Sequence, residues 1–138
     1  MILLDSSFLV AFHNARDVHH DAAVEIMERI VTDEWGAPVL LEYVFLEVVT
    51  VLLARRGLAK AVEVGDILLN AREVQFVPCS ENFDESWYVF TTQPSRRLSF
   101  TDSALVAVGN QRDIQRIATF DQGFYHLRAL KPVPEPAV

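Results

Sequence analysis

Cysteine is nearly absent: Cys79 is the only one in 138 residues. That excludes a disulfide framework and an all-cysteine metal site, and it suits a reducing compartment. Five glycines and six prolines are too few for a collagen-like or low-complexity chain. No apolar run approaches the ~20 residues needed to span a bilayer. The start, Met1-Ile2-Leu3-Leu4, lacks a basic stretch and meets an acid at Asp5, so no secretory signal and no membrane partner are expected. Basic charge is also scarce. Twelve Lys and Arg stand against 19 Asp and Glu, a net charge of −7. Proteins that hold nucleic acid by bulk electrostatics are usually basic, so a coating role is disfavoured. An enzyme that gathers acids in one cleft and keeps arginines on its rim is not. Ten of the twelve basic residues are Arg, the better phosphate ligand, although ordinary surface ion pairs account for most of them.

What is present is a core. Apolar residues make up 51% and charged residues 22%, which excludes intrinsic disorder. The length suits one domain, 1–138, able to bury a core without staples. A soluble cytoplasmic protein is the expectation.

Short apolar runs alternate with helical periodicity. Ile2–Leu4 reads as a buried strand that stops at Asp5. Ser6 and Ser7 can cap a short helix over 6–12. Residues 17–32 form an amphipathic pattern with Val18, Ala22, Ile26 and Ile30 on one stripe. A second strand is expected at 37–40. The longest helical signal covers 41–56, where Leu41, Val44, Phe45, Val48, Val49 and Leu52 share the helical spacing and Gly57 offers a C-cap. Further helices are expected over 59–71, 82–91 and 100–110, strands over 74–77 and 116–120, a loop at 93–97, and a last edge strand from Lys131. This order predicts a three-layer α/β/α sandwich around a mainly parallel sheet of four to five strands.

In open parallel sheets, ligands bind beyond the carboxyl ends of the strands. Two expected strands run into an aspartate there, Asp5 and Asp121. Asp102 falls in the first turn of the helix starting near Ser99. Glu47 lies midway along the helix over 41–56, among Leu46, Val48, Val49 and Val51, and is expected to be buried. Each aspartate has a bland reading: Asp5 as a turn or cap, Ser99-x-x-Asp102 as a capping box, Asp121 as the start of a turn before Gly123. Glu47 resists one, because a carboxylate is rarely buried unless paired or bound. Glu42 is ~140° from Glu47 around the helix, at ~100° per residue, and reads as structural in the first turn. Acids gathered at one sheet edge repel each other. A hard divalent cation relieves that repulsion and can activate water for phosphodiester hydrolysis.

Four segments carry a resemblance: Leu4-Asp5-Ser6-Ser7, Tyr43-Val44-Phe45-Leu46-Glu47, Leu98-Ser99-Phe100-Thr101-Asp102-Ser103-Ala104, and Ile117-Ala118-Thr119-Phe120-Asp121-Gln122-Gly123-Phe124. Together, in this order, they resemble PIN-domain nucleases and, within that group, the VapC-type toxins of toxin–antitoxin pairs. The resemblance implies an endoribonuclease whose acidic quartet, Asp5, Glu47, Asp102 and Asp121, holds Mg²⁺ or Mn²⁺. It implies that Ser6 and Thr119 orient acids or water. It also implies a cognate antitoxin partner and a homodimer. Gly123 departs from the pattern, since many relatives carry a further polar residue there.

Other motifs are weaker. His13, His19, His20 and His126 invite a zinc site, but adjacent His19 and His20 point to different sides of a helix and no cysteine joins them; solvated loop and cap roles are preferred. The glycines are isolated, so no phosphate-cradling loop exists. Ser6 or Ser7 as a nucleophile lacks a G-x-S-x-G elbow. Arg96 and Arg97, ahead of Asp102, are candidates for RNA phosphate contact. Trp87, Tyr88 and Phe90 cannot all be buried on one helix side. The open alternatives are a PIN nuclease without an antitoxin, a phosphoacceptor-like signalling domain, and a pure binding module. A receiver-type domain would want an acid pair after the first strand and a late lysine; here Leu4-Asp5-Ser6 lacks the pair, and Lys131 is the only late lysine.

Overall fold

A computed structural model describes residues 1–94 and 97–136. The elements follow in the order β1 (Ile2–Leu4), α1 (Ser6–His13), α2 (His20–Val31), β2 (Pro38–Leu41), α3 (Glu42–Arg56), α4 (Leu58–Asn70), β3 (Gln75–Val77), α5 (Phe83–Thr92), α6 (Phe100–Arg112), β4 (Arg116–Ala118) and β5 (Lys131–Val133). Short 3-10 turns at Cys79–Glu81 and Gln122–Phe124 complete the path. The chain is thus α/β, with a sheet of five strands flanked by helices. Among the described residues, no helix is long and apolar enough to cross a membrane.

The strand order is β3-β2-β1-β4-β5 and every pairing is parallel. β1 is central, with Leu3 opposite Val39 on one side and Ile117 on the other. Its three residues are buried on both faces, the reason it reads as an unbroken apolar run rather than an alternating one. After β1 the chain moves to β2 and β3 on one side; after β3 it crosses to β4 and β5 on the other. The reversal lies between β1 and β4, where a parallel sheet opens a crevice at its carboxyl edge.

Local chemistry sets the helix ends. Gly57 adopts φ +91°, closes α3 through its N–H to the Leu53 carbonyl, and immediately precedes α4. Few other residues accept that backbone without strain. Ser99 and Asp102 form a reciprocal capping box at the start of α6. Glu42 accepts the Cys79 N–H at 2.8 Å, which ties α3 to the turn after β3 and agrees with its structural reading.

Three expectations need correction. The second helix begins at His20 rather than Asp17, and Val18 is 91% exposed. The buried stripe is Ala23, Ile26 and Ile30, because Asp17 instead organises the turn before the helix, with the Asp17 carboxylate accepting the His19 N–H. β4 ends at Ala118, so Thr119 and Phe120 separate the strand from Asp121. In α3 only Val44, Val48 and Leu52 are buried. Leu46 and Leu53 are about half exposed, at 50% and 49%, so the apolar neighbours of Glu47 in sequence do not form a jacket around it. Glu47 is exposed rather than buried.

Candidate active site

Beyond the carboxyl ends of β1 and β4 lies a cleft of about 360 Å³ whose walls include Asp5, Ser6, Ser7, Glu47, Asp102 and Asp121. All four sequence-selected acids border it, each from a different element. Asp5 follows β1, Glu47 comes from the second turn of α3, Asp102 from the first turn of α6, and Asp121 from the turn after β4. A larger cavity of about 580 Å³ sits where β2 and β3 begin; its walls are mostly aliphatic, and it contains none of these acids.

Asp5 is the anchor. It occupies the N-cap position of α1 yet makes no side-chain capping bond. Its Oδ2 instead accepts hydrogen bonds from Thr119 Oγ1 at 2.7 Å and Ser7 Oγ at 2.8 Å. Those hydroxyls in turn accept backbone N–H groups: Thr119 from Asp121 at 3.0 Å, Ser7 from Phe120 at 3.0 Å. The segment carrying Asp121 is therefore wired to Asp5 through two hydroxyls. Asp5 is only 3% exposed. Burial pushes its pKa up to about 6; the Thr119 and Ser7 hydroxyls pull against this, and the negative charge of Asp102 adds to it. Ser7, read from sequence as a helix cap and as a nucleophile without its elbow, is instead a partner of Asp5 alongside Thr119. The signal was there, a second hydroxyl at a strand end, but its reach to residue 120 is a tertiary fact.

Ser6 points elsewhere, donating to Glu47 Oε1 at 2.6 Å. The bland readings of Asp102 and Asp121 are also real. Asp102 Oδ2 accepts the Ser99 N–H at 3.0 Å, and Asp121 Oδ1 accepts the Gly123 N–H at 2.8 Å. Capping one backbone group leaves the rest of a carboxylate facing the cleft. Burial raises the Asp102 pKa, and the neighbouring charges of Asp121 and Glu47 raise it further. These acids therefore feel one another. Gly123 has a local reason as well: a Cβ there would come within 3.2 Å of Asp121 Oδ1, so a side chain would crowd the acid.

Six further residues line the cleft that sequence did not select for it: Val10, Asp17, His19, Val51, Arg55 and Phe120. Arg55 approaches Asp17 at 4.0 Å with its side chain 59% exposed. Arg97 is exposed and does not line the cleft; Arg96 lies outside the described residues. The other histidines are dispersed, with His20 Nδ1 2.8 Å from the Ala11 carbonyl oxygen and His13 pushed down to about 4 by burial. Trp87 and Tyr88 are exposed at 54% and 66%, while Phe90 packs against Trp87 and Phe100.

Among the described residues, no three His, Cys, Asp or Glu side chains form a ready-made cage for an ion. The acids border a shared space rather than converge on a point. That donor chemistry fits a hard cation taking few carboxylates and completing its shell with water; it does not fit a closed zinc site.

An all-parallel α/β sheet with four acids around the crevice at its topological reversal defines a class: an open α/β domain whose ligand-site position, beyond the carboxyl edge, is acidic. The sequence matches the PIN domain family over residues 2–130, and the chain belongs to that family. Its fold resembles VapC20 of Mycobacterium tuberculosis, a sarcin-ricin loop cleaving toxin, at a TM-score of 0.77 and 26% identity, covering 90% of this chain and 92% of that one. It also resembles VapBC2 of Rickettsia felis, whose structure is bound to a DNA fragment from its promoter, at a TM-score of 0.69 and 13% identity, covering 96% and 97%; that likeness concerns the fold. No curated protein matches the sequence. The likeness to PIN domains and VapC-type toxins read from the four segments is borne out.

Proposed function

We propose that the chain is a metal-dependent endoribonuclease and the toxin of a toxin–antitoxin pair. One observation carries the nuclease reading: four acids from four elements border one cleft at the reversal point of the sheet, with Asp5 buried and held by two hydroxyls. Membership of the PIN family and the likeness to VapC20 support it. Asp5, Glu47, Asp102 and Asp121 would hold Mg²⁺ or Mn²⁺. A bound ion of this kind supplies an activated water and neutralises charge on the phosphodiester.

The residues of the chain do the rest. Thr119 and Ser7 fix the Asp5 carboxylate, so ionising it needs no reorganisation at the moment of reaction. Ser6 orients Glu47 by its hydrogen bond. The capping bonds on Asp102 and Asp121 immobilise each carboxylate on a backbone N–H. None of this chemistry needs a protein nucleophile. The antitoxin partner follows from the toxin reading.

The test is cleavage of RNA by purified protein. Activity should vanish with a chelator, return with Mg²⁺ or Mn²⁺, and be absent in Asp121→Asn. Cleavage that survives exhaustive chelation would show a metal-free mechanism. Co-purification with the product of a neighbouring short reading frame, and loss of cleavage in that complex, tests the toxin assignment.

A further inference from the structure

The cleft also carries a feature that acid chemistry does not use. The rings of His19 and Phe120 lie 4.5 Å apart and within 5° of parallel. Both residues line the cleft. Phe120 is supported from the core by the fully buried ring of Phe8, 6.4 Å away. His19 is exposed, and its ring lies on that of Phe120. We propose that this stack is a subsite for an unpaired nucleobase of the RNA, with Arg55 placed for an adjoining phosphate. The inference rests on the ribonuclease reading and adds to it a base-binding determinant.

Three observations favour a base over an ornamental surface ring. First, the stack is tied to the acids. The Phe120 N–H donates to Ser7 Oγ, and that hydroxyl donates to Asp5 Oδ2. A base seated on these rings is held in fixed register with the phosphate at the acids, and such register is what positioning contributes to a reaction. Second, the backbone that carries the ring is anchored beside Arg55. The His19 main-chain N–H donates to Asp17 Oδ1 at 2.9 Å, and the same carboxylate group faces Arg55 at 4.0 Å. One acid therefore joins the segment bearing the ring to the guanidinium. Third, the protein has a net charge of −7, so little affinity for RNA can come from bulk attraction. Stacking on a flat ring is indifferent to that charge, and unpaired RNA bases are commonly held on aromatic or imidazole faces. The ring pairs Trp87–Phe90, Phe83–Phe100 and Phe45–Phe76, each with one exposed member, do not line the cleft.

Binding of labelled octa-adenylate, octa-uridylate and an abasic ribose-phosphate octamer, followed by fluorescence anisotropy in Ca²⁺, tests the subsite. One stacked base is worth about 5- to 150-fold in affinity. The wild type should bind octa-adenylate more tightly than the abasic octamer by a factor in that range, with octa-uridylate between them. His19→Ala, at an exposed position, should remove most of that preference and leave abasic binding unchanged. Phe120→Leu, which keeps an apolar plug on Phe8, should do the same. Arg55→Gln should weaken all three alike and flatten the logarithmic salt dependence by about 0.7, the value of one phosphate on a single strand. Equal binding of octa-adenylate and the abasic octamer by the wild type, or a base preference that survives His19→Ala, overturns the subsite. Cleavage of total RNA by the wild type in Mg²⁺, run alongside, separates the two readings. Cleavage without base preference removes the subsite and leaves the nuclease, whereas base preference without cleavage supports the subsite and removes the nuclease.

Discussion

Replacing Asp5 by asparagine should abolish RNA cleavage and at the same time make the metal-free protein more stable. The second effect separates a functional acid from a structural one. Asp5 is 3% exposed, and burial raises its pKa from the ordinary 3.8 to about 6. The folded state therefore keeps the proton where the unfolded chain has lost it. The stabilisation of the protonated form is fully present below pH 3.8 and is lost as pH rises through about 6. At 1.36 kcal/mol for each pH unit between those values, the ionised carboxylate costs about 3 kcal/mol at neutral pH. Asparagine carries no charge to desolvate, and its amide oxygen can still accept the Thr119 and Ser7 hydroxyls. For a chain of 138 residues, 3 kcal/mol corresponds to roughly 10 °C in Tm. Thermal melts of both proteins in a chelator, from pH 4 to pH 8, measure it. The variant should match the wild type near pH 4, pull ahead up to pH 6, and hold a constant lead above. Saturating Mg²⁺ should then close the gap by stabilising the wild type, by about 2.7 kcal/mol at a hundredfold excess over Kd. A variant that melts with or below the wild type at every pH would refute the idea that Asp5 is held ionised against its surroundings.

Asp102→Asn should keep the capping box, because the amide oxygen can still accept the Ser99 N–H, while losing cleavage and becoming more stable without metal at neutral pH. An active variant would leave Asp102 as a cap and nothing more. Thr119→Val removes a buried hydroxyl that donates to Asp5 and accepts from Asp121, so it should cost about 1–3 kcal/mol. The loss should be larger above pH 6 than at pH 4, since the hydroxyl stabilises the charged form, and Thr119→Ser should restore it; a pH-independent loss would make Thr119 a packing residue only. Self-association into a two-fold dimer, the commonest soluble assembly, is expected at micromolar concentration, and light scattering showing only monomer would rule it out.

Much of the fold was legible because local periodicity and burial coincide here. The runs at Ile2–Leu4 and at Ile117 and Ala118 are apolar because parallel strands are covered on both faces, and the helix ends at Gly57 and Ser99 carry their own backbone chemistry. Three of the four acids were visible for the same reason: strand ends and first helical turns are where a parallel sheet opens, whereas Glu47, in the second turn of α3, stood out only as an acid among apolar neighbours. Boundaries set by side-chain competition were not legible. Asp17 bonds the His19 N–H and delays α2, leaving Val18 exposed. Sequence neighbours predict a buried Glu47, and the structure exposes it, because neighbours on a helix point in different directions and only packing decides which flank meets the core.

The sequence alone thus determined an α/β chain with acids at its strand ends, since periodicity and end chemistry act over a few residues. Tertiary structure decided which groups meet. Asp5 and Thr119 are separated by 114 residues along the chain, yet share a 2.7 Å hydrogen bond, and Ser7 reaches the Phe120 N–H across 113. The raised pKa of Asp5, the exposure of Glu47 and the His19–Phe120 stack all arise from such encounters. Desolvation and ring packing depend on what lies within a few ångströms in space, and that distance is set only when β1 and β4 pair side by side.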